Sequence, residues 1–269
     1  MKPQLAVQLY TLRDYTRTSR ALAQSLSKVA ALGYPAVQFS AVGAMNGDTP
    51  EVTPQLARQM LEDNGLKCIA THRSWESLAD DTAREIEFHQ TLGCDFAAIG
   101  GLPGAFQSQG KRGFEEFLHV SAPVIARLKA AGIRFGYHNH AWEFERSGTK
   151  PGGLPQTLFD VFLEGSNPDF LLEIDLYWAG HAGLNPERLV ERCGGRIPVI
   201  HVKDKEMAGH EAVMAPVGEG NMDWRRLLPA CAASGTEWFV VEQDECRRDP
   251  FDCLRSSYDF LRSFEEQLA

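Results

Sequence analysis

Residues 170–202 read FLLEIDLYWAGHAGLNPERLVERCGGRIPVIHV. The stretch begins with a short apolar run, Phe170 to Asp175, of the length and composition of a buried strand. A helix is expected over Pro186 to Cys193, and a second apolar run, Val199 to Val202, gives another strand. Strand, helix and strand in strict succession imply parallel pairing, with the helix packed on the outside of the sheet.

The same unit recurs in both directions. Towards the N-terminus, strands are expected near Leu5 to Tyr10, Ala36 to Phe39, Lys67 to His72, Phe96 to Gly100 and Arg134 to Asn139. Helices separate them. One, around Ser19 to Leu32, stops at Gly33. The next starts at Thr53-Pro54, a cap residue followed by proline in the first turn, and ends at Asn64-Gly65. Others run over Asp80 to Leu92, Arg112 to Ala131 and Pro155 to Glu164. Towards the C-terminus follow a helix near Trp224 to Ala233, an eighth strand near Trp238 to Glu242 and a closing helix from Asp252 to Glu266. Eight units are the number that closes a barrel, so the expected fold is α/β, a (β/α)8 TIM barrel in one domain over residues 1–269. A doubly wound open sheet is the alternative. It would normally need fewer units, and no G-x-G-x-x-G follows the first strand. The Pro/Gly-rich stretch Lys150 to Pro155 reads as a loop rather than a domain boundary.

Composition narrows the function. The 269 residues carry 27 Lys+Arg against 36 Asp+Glu, a formal charge of −9, which opposes binding to nucleic acid or anionic lipid. No apolar stretch approaches the ~18 residues of a membrane span. The six cysteines form no C-x-x-C pair, so a thiolate zinc site has no support and buried free thiols are expected. Met-Lys-Pro-Gln leads directly into a strand-like run without the pattern of a secretory signal, and the cytoplasm is the expected compartment.

In such a barrel the reacting groups stand where the strands end. Here the third strand ends in Thr71-His72-Arg73 and the fifth in Tyr137-His138-Asn139-His140, running on to Trp142-Glu143. The sixth ends in Glu173-Ile174-Asp175, the seventh in His201-Val202-Lys203-Asp204, and the eighth in Glu242-Gln243-Asp244-Glu245. Charged groups repeated along one buried rim are costly unless they pair or share a cation. Carboxylates with an imidazole and no thiolate suit Mn²⁺, Mg²⁺, Co²⁺ or Zn²⁺. The expected ligands are Glu143, Asp175, His201 and Glu242, one per barrel unit, with Lys203 offsetting their charge or holding a substrate oxygen. Taken singly, each has a plainer reading: a hydrogen-bonded histidine, a capping aspartate, a solvated acidic run. His138 and His140 share a strand face, and a general base or substrate donor is expected there. His72 is a further candidate, whereas His89, His119 and His210 are expected on the surface. Trp75, Trp142 and Trp178 at the same exits would give flat apolar walls suited to a sugar. The run from Val217 to Trp224 fits either a phosphate cradle or a tight turn with an Asn/Asp helix cap.

These strings together resemble the sugar phosphate isomerase/epimerase family, the xylose-isomerase-like barrels. They are Tyr137-His138-Asn139-His140-x-x-Glu143-Phe144, Glu173-x-Asp175-x-x-Trp178, His201-x-Lys203-Asp204, Pro216-Val217-Gly218-Glu219-Gly220 and Val241-Glu242-Gln243-Asp244, and they span nearly the whole chain. The resemblance implies one divalent ion, often Mn²⁺, held by Glu143, Asp175, His201 and Glu242, with Glu143 and Glu242 also moving protons. In similar keto-sugar dehydratases and keto-glycoside lyases a strand-five histidine takes part, which brings in His138 and His140. Gln38 stands where many relatives have Glu, and a changed contact to a substrate hydroxyl is expected there. The implied activity is isomerisation or epimerisation of a small carbohydrate, by removal of a proton next to a carbonyl through a metal-bound enediolate. Elimination at the same site is the alternative, and Lys203 is a candidate beside the leaving oxygen. A non-catalytic sugar-binding barrel is a reading of another class. Abasic-site endonucleases resemble this barrel too, but they need more histidines and a basic face. Homo-oligomers are an expectation from the family alone.

Overall fold

The computed structural model describes residues 3–267. Eight parallel strands close into a barrel: β1 (Gln4–Gln8), β2 (Ala36–Phe39), β3 (Lys67–Arg73), β4 (Phe96–Ile99), β5 (Arg134–His138), β8 (Phe170–Asp175), β9 (Val199–Val202) and β12 (Trp238–Val241). They pair in that order, and β12 returns to β1 with Gln4 opposite Trp238 and Val7 opposite Val241. The strands fall where the apolar runs place them, to within two residues at each end. Their helices start and stop on local chemistry. The Thr18 hydroxyl accepts the amide of Ala21 at the start of the helix Ser19–Leu32, and Gly33 ends it at φ 102°. Thr53 caps the helix Pro54–Asp63 in the same way.

Four features depart from expectation. The segment before β4 is two helices, Trp75–Asp80 and Thr82–Leu92, broken where Asp81 turns the chain and caps the second. A short helix, Leu176–His181, follows β8 directly, capped by Asp175. Two antiparallel hairpins stand where no strands are expected. One, β6 (Arg146–Thr149) with β7 (Pro155–Thr157), follows β5; the other, β10 (Asp204–Ala208) with β11 (Glu211–Ala215), follows β9. Both are short, largely solvent-facing ribbons without the apolar run that marks a barrel strand.

Successive side chains on a strand point to opposite faces. One set, including Val7, Val37, Phe135, Ile174, Val202 and Val241, packs against the helices in the main core. The other set faces the barrel interior, whose floor is built from small and apolar residues: Ala6, Ala36, Ala70, Phe96, Ala98, Val199 and Val240. Gly136 belongs to this floor because a Cβ there would lie 2.4 Å from the Phe96 ring. Two residues further along five of these strands the interior turns polar. Ala36 gives way to Gln38, Ala70 to His72, Gly136 to His138, Val199 to His201 and Val240 to Glu242. Among the described residues, no helix is long and apolar enough to cross a membrane.

Candidate active site

The polar ends of β3, β5, β8, β9 and β12 meet inside the C-terminal mouth of the barrel. Two groups of potential ligands form there. His72, His138, Glu173 and His201 make the deeper one; His138, Asp175, His201 and Glu242 make the outer one, with their ligand atoms within 4.8 Å of one another. Strand register explains the outer group: Asp175 on β8 lies opposite His201 on β9, and the Glu242 amide reaches the Val202 carbonyl. His138 on β5 lies opposite Glu173, one step deeper.

The two groups differ in how far their atoms are already satisfied. Glu173 is fully buried; one carboxylate oxygen is bonded to His72 Nε2 and the other accepts from Gln38 Nε2 at 2.6 Å. His201 Nε2 lies 2.7 Å from Gln38 Oε1, and its Nδ1 lies 2.8 Å from Glu242 Oε2. Asp175 Oδ2 in the outer group and His138 Nδ1, which faces Glu173 of the deeper group, are buried without a hydrogen-bond partner. The Lys203 ammonium lies 2.9 Å from that oxygen as an ion pair, and Glu173 lies 3.3 Å from that nitrogen. An unsatisfied buried carboxylate oxygen calls for an unplaced partner. Two imidazoles and two carboxylates form a nitrogen–oxygen donor set that fits Mn²⁺, Co²⁺ or Zn²⁺. The outer group therefore fits a divalent ion better than the inner one.

Lys203 is completely buried beside this group, 2.6 Å from Glu242 Oε2 and 2.8 Å from Asp244 Oδ2. Burial alone would lower its pKa, but Asp175, Glu242 and Asp244 hold the ammonium well above the ordinary lysine value. Burial raises the Asp175 carboxyl against the pull of Lys203 and His201. Glu242 is held well below the carboxylate range; burial opposes this, and Lys203 and His201 outweigh it. Glu173 is likewise held low, against burial, by His72 and His201. His201 is pushed up to about 9, since Glu173 and Glu242 overcome the cost of burial. His138 goes the other way: burial and the neighbouring His201 keep its imidazole well below the usual value, hence neutral.

The structure brings together Asp175, His201, Glu242, His138 and Lys203 of the expected residues, with His72 directly behind them. His72 stacks on His201 with ring centroids 5.6 Å apart. Glu143 does not join this group. It is fully buried in the turn after β5, where one oxygen accepts from Tyr137 Oη at 2.9 Å and the other from the His140 amide at 2.8 Å. His140 sits at the mouth, partly exposed, with its Nδ1 3.9 Å from Glu143. Burial lowers its pKa less than Glu143 raises it, so the net shift is upward. Gln38 has no exposed surface, and both its polar ends are taken by Glu173 and His201. Of the tryptophans, Trp178 borders the site, 5.8 Å from the His140 ring and under the Lys203 ammonium, also at 5.8 Å. Trp75 is buried against Phe117, and Trp142 packs on Phe114.

Sequence reading missed Glu173 as a site residue, although it lies two residues before Asp175 and so shares its strand face. His89 is also corrected: it is fully buried, 2.7 Å from Thr71 Oγ1 and 2.7 Å from the Glu85 carbonyl, on the inner face of its helix. Neighbouring Glu85 is buried as well and takes two bonds from Arg73. The loop 216–224 is ordered around Asp204, which accepts from the amides of Lys205, Gly218 and Met222 and from Trp224 Nε1. The amides of Gly218 and Met222 are thus spent on an internal carboxylate, as the tight-turn reading requires and a phosphate cradle does not.

The comparisons with known proteins agree with this architecture. No curated protein matches the chain. Among solved structures, a sugar phosphate isomerase/epimerase from Parabacteroides distasonis superposes with a TM-score of 0.79 at 22% identity, covering 98% of this chain and 94% of that one. An L-ribulose 3-epimerase gives 0.71 at 15% identity, covering 98% and 95%. The probable 3-DHS dehydratase AsbF of Bacillus anthracis gives 0.71 at 13%, covering 97% and 99%. At these identities the likeness is one of fold. The family model described as xylose isomerase-like TIM barrel matches residues 26–264. The chain belongs to the xylose isomerase-like TIM barrel family.

Proposed function

We propose that this chain is a divalent-metal-dependent sugar isomerase or epimerase that removes a proton from the carbon next to a carbonyl. The observation that carries the reading is the outer donor group, in which a carboxylate oxygen of Asp175, 2.9 Å from the Lys203 ammonium, is buried without a hydrogen-bond partner beside two imidazoles and Glu242. His138, Asp175, His201 and Glu242 would hold the ion, His138 taking the place expected for Glu143. When bound, the ion supplies Lewis-acid polarisation of the carbonyl and stabilises negative charge developing on oxygen. Lys203 keeps Asp175, Glu242 and Asp244 together and lends positive charge to the same side. Glu242 and His140 are the proton-handling pair: Glu242 is an ionised carboxylate at the ion site, and His140 is an imidazole at the mouth backed by Glu143. Trp178 offers an apolar wall to the carbohydrate. The L-ribulose 3-epimerase and the sugar phosphate isomerase/epimerase among the structural neighbours are consistent with small carbohydrate substrates.

One observation favours a second outcome. Glu143 holds the His140 imidazole towards its protonated form, and an imidazolium at the mouth suits protonation of a leaving oxygen. Elimination would then follow the same proton abstraction. Elemental analysis of wild type and Asp175→Ala, followed by screening keto-sugars for proton exchange in D₂O, tests the reading. About one Mn, Co, Zn or Mg per chain, lost in the variant, with solvent deuterium entering a substrate, is the expected result. A wild type that takes up no divalent ion even after soaking would overturn it and leave a sugar-binding barrel.

A further inference from the structure

We propose that Gln38 is a positioning residue that fixes the tautomer of His201, so that its Nδ1 lone pair faces the ion site. The inference rests on the reading that the outer group holds a divalent ion. Gln38 is wholly buried at the end of β2, across the barrel from β8 and separated from β9 by β1 and β12. Its side chain is a short bridge: Nε2 lies 2.6 Å from Glu173 Oε1, and Oε1 lies 2.7 Å from His201 Nε2.

The direction of this bridge is dictated by its neighbour. The two ends of an amide have the same shape and are told apart by what they bond. An ionised carboxylate only accepts, so the NH₂ end must face Glu173. That leaves the carbonyl end towards His201. A carbonyl also only accepts, so His201 must carry its proton on Nε2. In a neutral imidazole the lone pair then sits on Nδ1. That nitrogen lies 2.8 Å from Glu242 Oε2 and 4.0 Å from Asp175 Oδ2, inside the outer donor group. Glu173 is in turn locked, because its other oxygen is bonded to His72. The negative charge of one buried carboxylate is thus converted, through an amide, into the protonation pattern of a ligand on another strand.

An amide is suited to this task beside Glu173. A second ionised carboxylate 2.6 Å from the first would be strongly repelled unless one of the two took up a proton. A protonated Glu at position 38 would reproduce the pattern, its OH donating to Glu173 and its carbonyl accepting from His201. Leucine has neither group. Groups that orient ligating histidines typically change metal affinity about 10–100-fold when removed.

The test uses full-length protein labelled with ¹⁵N at histidine and loaded with Zn²⁺ as a diamagnetic probe. Long-range ¹H–¹⁵N correlation spectra read the protonated nitrogen of His201, and competition with a chelating dye reads the Zn²⁺ affinity. The expected result is His201 protonated on Nε2 in wild type, a tenfold or greater loss of affinity in Gln38→Leu, and affinity close to wild type in Gln38→Glu. Zinc-loaded wild type protonated on Nδ1 would overturn the inference, as would a Gln38→Leu variant that matches wild type in both readouts. If Gln38→Leu does not fold, the wild-type tautomer and the Gln38→Glu affinity decide alone. A wild type that takes up no zinc overturns the ion reading and this inference with it, whereas zinc uptake with the wrong tautomer overturns only the inference.

Discussion

Replacing Lys203 by methionine separates the two cations that this site can use. The lysine is fully buried and contacts three carboxylates, at 2.9 Å from Asp175, 2.6 Å from Glu242 and 2.8 Å from Asp244. Methionine fills a similar volume and removes the charge. Breaking a buried ion pair on one side costs about 3–5 kcal/mol, because the partner charge stays buried and unpaired. A chain of this size loses about 2–4 °C of melting temperature per kcal/mol. In chelator the variant is therefore expected to melt about 6–20 °C below wild type. With a saturating divalent ion the deficit should shrink, since the ion would draw on the same Asp175 and Glu242 oxygens that lost the ammonium. The ion should also bind more tightly, by about tenfold or more, once a like charge no longer competes for those oxygens. Thermal melts at pH 7, with EDTA and with excess Mn²⁺ or Zn²⁺, measure both effects. A chelated variant within about 2 °C of wild type, well short of the expected drop, would refute the charge argument. An equal drop with and without the ion would show that lysine and ion do not share carboxylates.

Ion uptake should release protons. His201 titrates near 9 without the ion, above the ~6.5 of an unfolded histidine, so its imidazolium stabilises the ion-free fold fully below pH ~6.5 and that contribution is lost as pH rises through about 9. Ion affinity runs the opposite way, rising up to about tenfold per pH unit until about 9. Calorimetry at pH 7 in two buffers of different ionisation enthalpy should show about one proton released per ion, and no buffer dependence would contradict it. Glu143→Gln should keep its ion while losing about 1–3 kcal/mol of stability from the turn after β5, whereas Asp175→Asn should lose the ion. Metal content and urea midpoints read the two together, and ion loss in Glu143→Gln would return that residue to the ligand set. Asp204→Ala leaves three backbone amides and the Trp224 indole without their acceptor. At about 1–3 kcal/mol for each buried donor left unpaired, a fall of several kcal/mol is expected in urea unfolding with ion content retained, and an unchanged midpoint would count against it.

The barrel was legible because its signals are local. Apolar runs bounded by glycine, and a cap such as Thr53, depend on a few neighbouring residues and fixed the strand and helix positions closely. The hairpins 146–157 and 204–215 were not legible, since their strands are short, half-exposed and without a buried face. Asp175, His201 and Glu242 of the expected ligands do meet at the mouth, whereas Glu143 does not join them. Glu143 lies five residues beyond β5, where the chain has already turned, and its charge is balanced by Tyr137 and a backbone amide rather than by the site. Nothing in the local string distinguishes such an internal partner from a ligand. Gln38 and Glu173 are joined across the barrel at a sequence separation of 135, and no local reading reaches that contact.

The pattern that does carry the site is the spacing of two at the strand ends. His138 on β5 with His140 just past it, Glu173 and Asp175 on β8, His201 on β9 with Lys203 just past it, and Glu242 and Asp244 just past β12 are all pairs at i and i+2. With one strand face turned inward, such a pair places two polar groups on the barrel axis, one below the other. A single polar residue at a strand end can be capped by its own loop, as Glu143 is by its turn. Two in succession on four neighbouring strands cannot all be satisfied locally, and they must satisfy one another across the barrel. The lower tier does this with Glu173, His72 and Gln38, leaving the upper tier with Lys203 and an unsatisfied oxygen on Asp175. The division of labour follows from what each group bonds. Glu173, His72 and Gln38 bond one another beside His201, whereas Asp175 keeps an oxygen without a hydrogen-bond partner, where the proposed ion would bind.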